Sequence, residues 1–81
     1  MATTEEILAK VAEIVHEKLD VDPESVRLDQ SFVDDLSADS MTMMEIIYDC
    51  EDHYEIEISD EAAKELTTVG DAVAYIEKQI S

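Results

Sequence analysis

Apolar residues recur at helical spacing in three stretches of the chain and lose that rhythm between them. Ile7, Leu8, Val11, Ile14, Val15 and Leu19 share one helical face, and Thr3 with Glu6 three positions later forms a capping box. This predicts a first helix ending near Leu19. A second helix is predicted from about Ser40 to Tyr54, with Met43, Ile46, Ile47, Cys50 and Tyr54 on its core face. Ser59 caps a short third helix that carries Asp60 and Glu61 in its first turn. Ala62, Ala63 and Leu66 give it little to bury, so it is expected to be the loosest element. Thr68 with Asp71 opens a last helix whose stripe is Val69, Val73, Ile76 and Ile80. Between Asp20 and Ala38 the only proline, Pro23, and scattered Asp and Ser predict a long connection with a short turn from Pro23 to Val26. Val26, Leu28, Phe32, Val33 and Leu36 lie within it, which predicts a segment wrapped over the helices. The expected fold is all-α, a four-helix bundle with three main helices, one short third helix and a long first loop. Without repeats, low-complexity tracts or linkers, residues 1–81 read as a single domain.

The second helix carries more apolar surface than one buried stripe requires. Met41, Met44 and Tyr48 fall almost opposite its core face, flanked by Glu45, Glu51 and Asp52. One reading makes this a recognition surface, for which flexible, polarizable methionines are well suited. The other has the long loop covering it, and spacing alone leaves both open.

Charge narrows the field. With 81 residues and a formal net charge of -17, the chain is a poor match for nucleic acid or anionic membrane and a good match for proteins with Lys/Arg patches. Cys50 is the only cysteine, which rules out an internal disulfide and fits a reducing compartment. No apolar run approaches the ~20 residues of a membrane span, and residues 1–6 have no targeting character. The expectation is a soluble, cytoplasmic monomer.

From Leu28 to Ala63 there is no Lys or Arg, and Ser40 lies inside this acidic stretch at a predicted helix start. An isolated serine there is ordinarily only a cap. Ser40 is also no catalytic nucleophile, because the nearest histidine in sequence, His53, is more than three helical turns along the same helix. The helix N-terminus would, however, tolerate a phosphate ester among the carboxylates, so Ser40 reads as an attachment point. Other candidates are weaker. Cys50 and His53 stand three apart, but Cys50 faces the core and no third ligand is evident. Asp34 to Glu45 has the length of a calcium loop, yet Leu36 occupies a ligand place and the sixth place lacks Gly. No metal site is expected, and His16 reads as a solvated side chain.

The run Ser31-Phe32-Val33-Asp34-Asp35-Leu36 followed by Ala38-Asp39-Ser40-Met41 resembles the acyl carrier protein signature around its Asp-Ser-Leu motif. Ile56-Glu57-Ile58 with Asp60-Glu61, and Thr67-Thr68-Val69-Gly70-Asp71, resemble the family's approaches to its third and fourth helices, so the likeness spans almost the whole chain. It implies a 4'-phosphopantetheine arm, derived from coenzyme A, esterified to Ser40, with Asp39 as the preceding aspartate. It also implies that Met41, Met44, Glu45, Tyr48, Glu51 and Asp52 meet basic patches of partner enzymes. Such partners are a phosphopantetheinyl transferase, an acyltransferase, a ketosynthase and other acyl-processing enzymes. Ser37 stands where the family often has Gly, and Met41 where Leu is usual.

The sequence thus supports a non-catalytic shuttle for fatty acid synthesis, with cargo held as a thioester on the arm. No base, oxyanion donor set or metal site for an enzyme can be assembled. Ile46, Cys50, Val73 and Ile76 are expected to line an interior that shelters part of an acyl chain. A dedicated polyketide or other specialised-pathway carrier is the alternative within the class. An acidic helical adaptor without a prosthetic group is the alternative outside it.

Overall fold

The computed structural model describes residues 3–80; residues 1, 2 and 81 of the expected domain lie outside this range. The chain forms α1 (Thr4–Leu19), a single 3₁₀ turn (Pro23–Ser25), α2 (Ser40–Tyr54), α3 (Asp60–Glu65) and α4 (Val69–Ile80). Among the described residues there is no strand, only one isolated antiparallel bridge between Ser31 and Thr68. Each helix begins where its capping chemistry predicts. Thr3 accepts the Glu6 N–H at the start of α1, and Ser59 accepts the Ala62 N–H at the start of α3. At α4 the exchange is reciprocal: Thr68 Oγ1 accepts the Asp71 N–H at 3.1 Å, and the Asp71 carboxylate accepts the Thr68 N–H at 3.2 Å.

α1 packs along both α2 and α4, burying Ile7, Val11 and Val15 against Ile46, Val73 and Ile76 in one core. α3 makes only slight contact with the other helices, and Ile58 and Leu66, on either side of it, supply its buried anchors. α1 and α2 both end on residues in the left-handed conformation, Asp20 and Glu55, each returning its N–H to the helix's last turn. His16, read from the sequence as solvated, also has a structural role. Its ring Nδ1–H donates to the Val21 carbonyl at 3.0 Å and pins the exit from α1.

The long loop wraps as expected, but not with all of its apolar residues. Val26, Phe32 and Leu36 are buried, whereas Leu28 and Val33 are 40% and 60% exposed. The reason lies in the backbone, because this loop is fastened through main-chain groups. Phe32 N–H donates to Thr67 O, Val69 N–H to Gln30 O, and Gly70 N–H to Leu28 O at 2.8 Å. The free N–H groups at the start of α4 are thereby satisfied by loop carbonyls. The approach is so close that a Cβ on Gly70 would meet the Leu28 oxygen at 2.8 Å, so any larger residue must displace the loop there.

Candidate functional site

The site is built at the joint between the loop and α2. Asp39 has extended backbone and is the N-cap of α2; its carboxylate accepts the Thr42 N–H at 2.7 Å. That hydrogen bond holds the Asp39 carboxyl below its ordinary value. The capping role that an isolated serine would take falls to Asp39, and Ser40 becomes the first helical residue. Its hydroxyl is exposed and makes no hydrogen bond among the described residues. Upstream, Ser37 has φ of 59°, the left-handed conformation that glycine adopts without penalty, so the chain makes this turn with a serine. Ala38 is buried just before the cap, and its N–H donates to Phe32 O at 2.8 Å, which fixes where the helix starts.

Ser40 opens onto a groove of about 470 Å³ between α2, the loop and α3. Val33, Met43, Met44, Ile47 and Leu66 make its walls largely apolar, with Ser31, Asp34, Lys64 and Thr67 as polar points. Beneath it lies a partly enclosed apolar cavity of only about 10 Å³, room for a single water-sized sphere. Ile46, Cys50 and Ile76 line that cavity as expected, whereas Val73 is buried outside it. Met43, Ile47 and Leu66 border both spaces and form the partition between the open groove and the interior. Burial pushes the Cys50 thiol up to about 12, so it stays protonated and unreactive at neutral pH.

The second stripe of α2 is open. Met41, Met44 and Tyr48 are 73%, 53% and 59% exposed, so the loop does not cover them. Glu45 and Asp52 are exposed beside them, but Glu51 is half-buried and its carboxylate accepts the Ile58 N–H at 2.8 Å. Glu51 therefore holds the turn that leads into α3 as well as edging the acidic face. On the other side of α2, Lys18 of α1 pairs with Asp49 at 3.3 Å. Cys50 is buried and His53 exposed, with its ring edge-on to Tyr54, and no cluster of three or more metal-ligating side chains is present among the described residues. Among the described residues no helix is long and apolar enough to cross a membrane. Lys64 and Leu66 were absent from the sequence-level site. A lone lysine in an otherwise cation-free stretch was the available signal for the first.

The donor set fits a phosphopantetheine group. An unpaired hydroxyl stands at the positive end of a helix, and a groove with apolar walls and scattered hydroxyls begins beside it. The family described as the phosphopantetheine attachment site matches residues 9–76 of the chain. An acyl carrier protein of Renibacterium salmoninarum is 54% identical over 76 residues, covering 94% of each chain. One from Exiguobacterium sibiricum is 50% identical over 78 residues, covering 96% of this chain and 99% of the relative. The solved structure of an acyl carrier protein from Enterococcus faecalis superposes with a TM-score of 0.81 at 42% identity, over 96% of this chain and 99% of that one. The chain belongs to the acyl carrier protein family. Its members are carriers rather than enzymes, their cofactor is phosphopantetheine, and they interact with acyl-processing enzymes.

Proposed function

We propose that Ser40 carries the 4'-phosphopantetheine arm and that the chain, as a single-domain cytoplasmic monomer, presents acyl thioesters to the enzymes of fatty acid synthesis. The observation that carries this reading is the division of labour at the start of α2: Asp39 takes the cap, leaving the Ser40 hydroxyl exposed and unpaired at the lip of the groove. A phosphopantetheinyl transferase approaches there, and the phosphate ester is favoured by the helix N-terminus. The arm supplies the thiol, since the Cys50 thiol is buried and protonated. Met41, Met44 and Tyr48 form an apolar contact strip edged by Glu45, Glu51 and Asp52, which suits basic patches on an acyltransferase or ketosynthase. Part of the cargo shelters by passing the Met43, Ile47 and Leu66 partition toward Ile46, Cys50 and Ile76.

Intact mass after incubation with coenzyme A and a broad-range phosphopantetheinyl transferase tests the attachment. Wild type gains one phosphopantetheine unit and Ser40→Ala gains none. A wild-type protein that stays unmodified, while remaining helical by circular dichroism, favours the acidic adaptor instead.

A further inference from the structure

Among the described residues, Lys64 is the one basic side chain in the walls of the groove that begins at Ser40. The sequence has no Lys or Arg from Leu28 to Ala63, so folding brings the first cation after that stretch back to the groove that begins at its serine. Lys64 also declines the partners its own helix offers. Asp60 and Glu61 stand four and three residues before it, the spacings at which helical ion pairs form. Neither pair is made, the ion pairs among the described residues being Lys10–Glu13 and Lys18–Asp49. The lysine instead shares the groove with Ser31, Asp34 and Thr67.

A phosphodiester on Ser40 introduces an anion into this groove, in a chain whose net charge of -17 repels it almost everywhere else. We infer that Lys64 is a positioning residue for the arm: its ammonium pairs with the phosphodiester joined to Ser40 and holds the arm's first segment along α3. This rests on the assignment of Ser40 as the attachment serine. The arm of the holo-protein then divides between a docked and a free population, and Lys64 sets the ratio. An exposed pair of this kind shifts the ratio roughly two- to fivefold.

The test is phosphorus NMR on the holo-protein at low salt, comparing wild type with Lys64→Gln and Lys64→Arg. In Lys64→Gln the phosphodiester resonance moves toward its position in the urea-unfolded holo-protein and narrows as the arm gains freedom; Lys64→Arg restores both. Added salt erases the difference between wild type and Lys64→Gln. Circular dichroism confirms equal helix content in all three. If holo Lys64→Gln matches holo wild type in shift and linewidth at low salt, the inference fails while the attachment stands. If wild type accepts no arm, the attachment itself fails and takes the inference with it.

Discussion

Leu66 is the partition residue whose truncation bears most directly on cargo sheltering. It is 8% exposed, closes the interior cavity from the side of α3 and borders the groove that starts at Ser40. Leu66→Ala removes three carbons from that wall. Buried Leu→Ala changes cost about 2–5 kcal/mol, and this site lies at the low end because the open groove lets its surroundings relax, so about 2–3 kcal/mol is expected. A fold of this size is stabilised by roughly 4–12 kcal/mol, so the variant stays folded. With a urea dependence near 1 kcal/mol per molar, its midpoint falls by about 2 M or more.

The informative quantity is what an acyl chain returns. In wild type the cavity is only about 10 Å³, so cargo methylenes must push the walls apart to enter, and the strain offsets much of their burial. In Leu66→Ala the space is already there. Filling it with three methylenes at about 0.8 kcal/mol each restores about 2 kcal/mol. Urea unfolding of holo and octanoyl forms, followed by far-UV circular dichroism, should therefore show a larger acyl-dependent increment in Leu66→Ala than in wild type. Val73→Ala is the control: Val73 is buried outside the cavity, so its truncation lowers stability without enlarging the increment. Equal increments in wild type and Leu66→Ala would refute entry of the chain past Leu66.

Gly70→Ala should destabilise the fold by about 1–2 kcal/mol in urea. The helix-propensity gain of at most about 1 kcal/mol is outweighed by overpacking of about 1–3 kcal/mol against the Leu28 carbonyl and weakening of its hydrogen bond. A variant as stable as wild type would show that the loop yields there freely. The Asp39 carboxyl is lowered by the Thr42 N–H, so its ionised form favours the folded state. That contribution is complete above its ordinary value of 3.8 and is lost as pH falls through the lowered one. The first turn of α2 should therefore fray only in acid, and Asp39→Asn should abolish that step in a pH titration followed by NMR of the Thr42 amide. Glu45→Lys and Asp52→Lys should slow stopped-flow association with a basic acyl-processing enzyme and flatten its salt dependence, with helix content unchanged. Glu51→Lys should in addition speed amide exchange at Ile58, whose acceptor it removes, and unchanged association rates would exclude this face as the docking site.

The helices were legible because their information is local: a 3.6-residue apolar period and oxygen-bearing caps at Thr3, Ser59 and Thr68 act within one or two turns. The loop was not. Phe32 is buried and its neighbour Val33 is 60% exposed, an alternation set by main-chain bonds to Thr67, Val69 and Gly70 rather than by side-chain type. Backbone donors and acceptors are the same in every residue, so a sequence cannot announce which of them will meet. Gly70 was the readable trace of this contact, since a lone glycine inside a helical pattern costs stability unless something approaches closely. At the candidate site, the start of α2 at Ser40 and its acidic setting were legible from composition and motif. The partition at Leu66 and the return of Lys64 to the groove depend on how α3 lies across α2, which α3's six residues do not encode by themselves.

The arrangement of charge ties docking to stability with opposite dependence on salt. Of the five basic residues, Lys10 and Lys18 pair with Glu13 and Asp49 along α1, and neither described ion pair involves Glu45, Glu51 or Asp52 beside the Met41, Met44 and Tyr48 strip. Carboxylates left unpaired there repel one another and destabilise the compact state, while the same unpaired field draws in a basic partner. Screening relieves the first effect and weakens the second. In one salt series, therefore, the unfolding midpoint should rise while the association rate falls. On the proposed docking mode, a partner's Lys/Arg patch would do both favourable things at once: it would supply attraction and remove the repulsion that the free protein carries. Binding to the folded state through such a patch would then add to stability by linkage and make the fold firmest while docked, even though α3, the far wall of the groove at Ser40, is the least anchored helix.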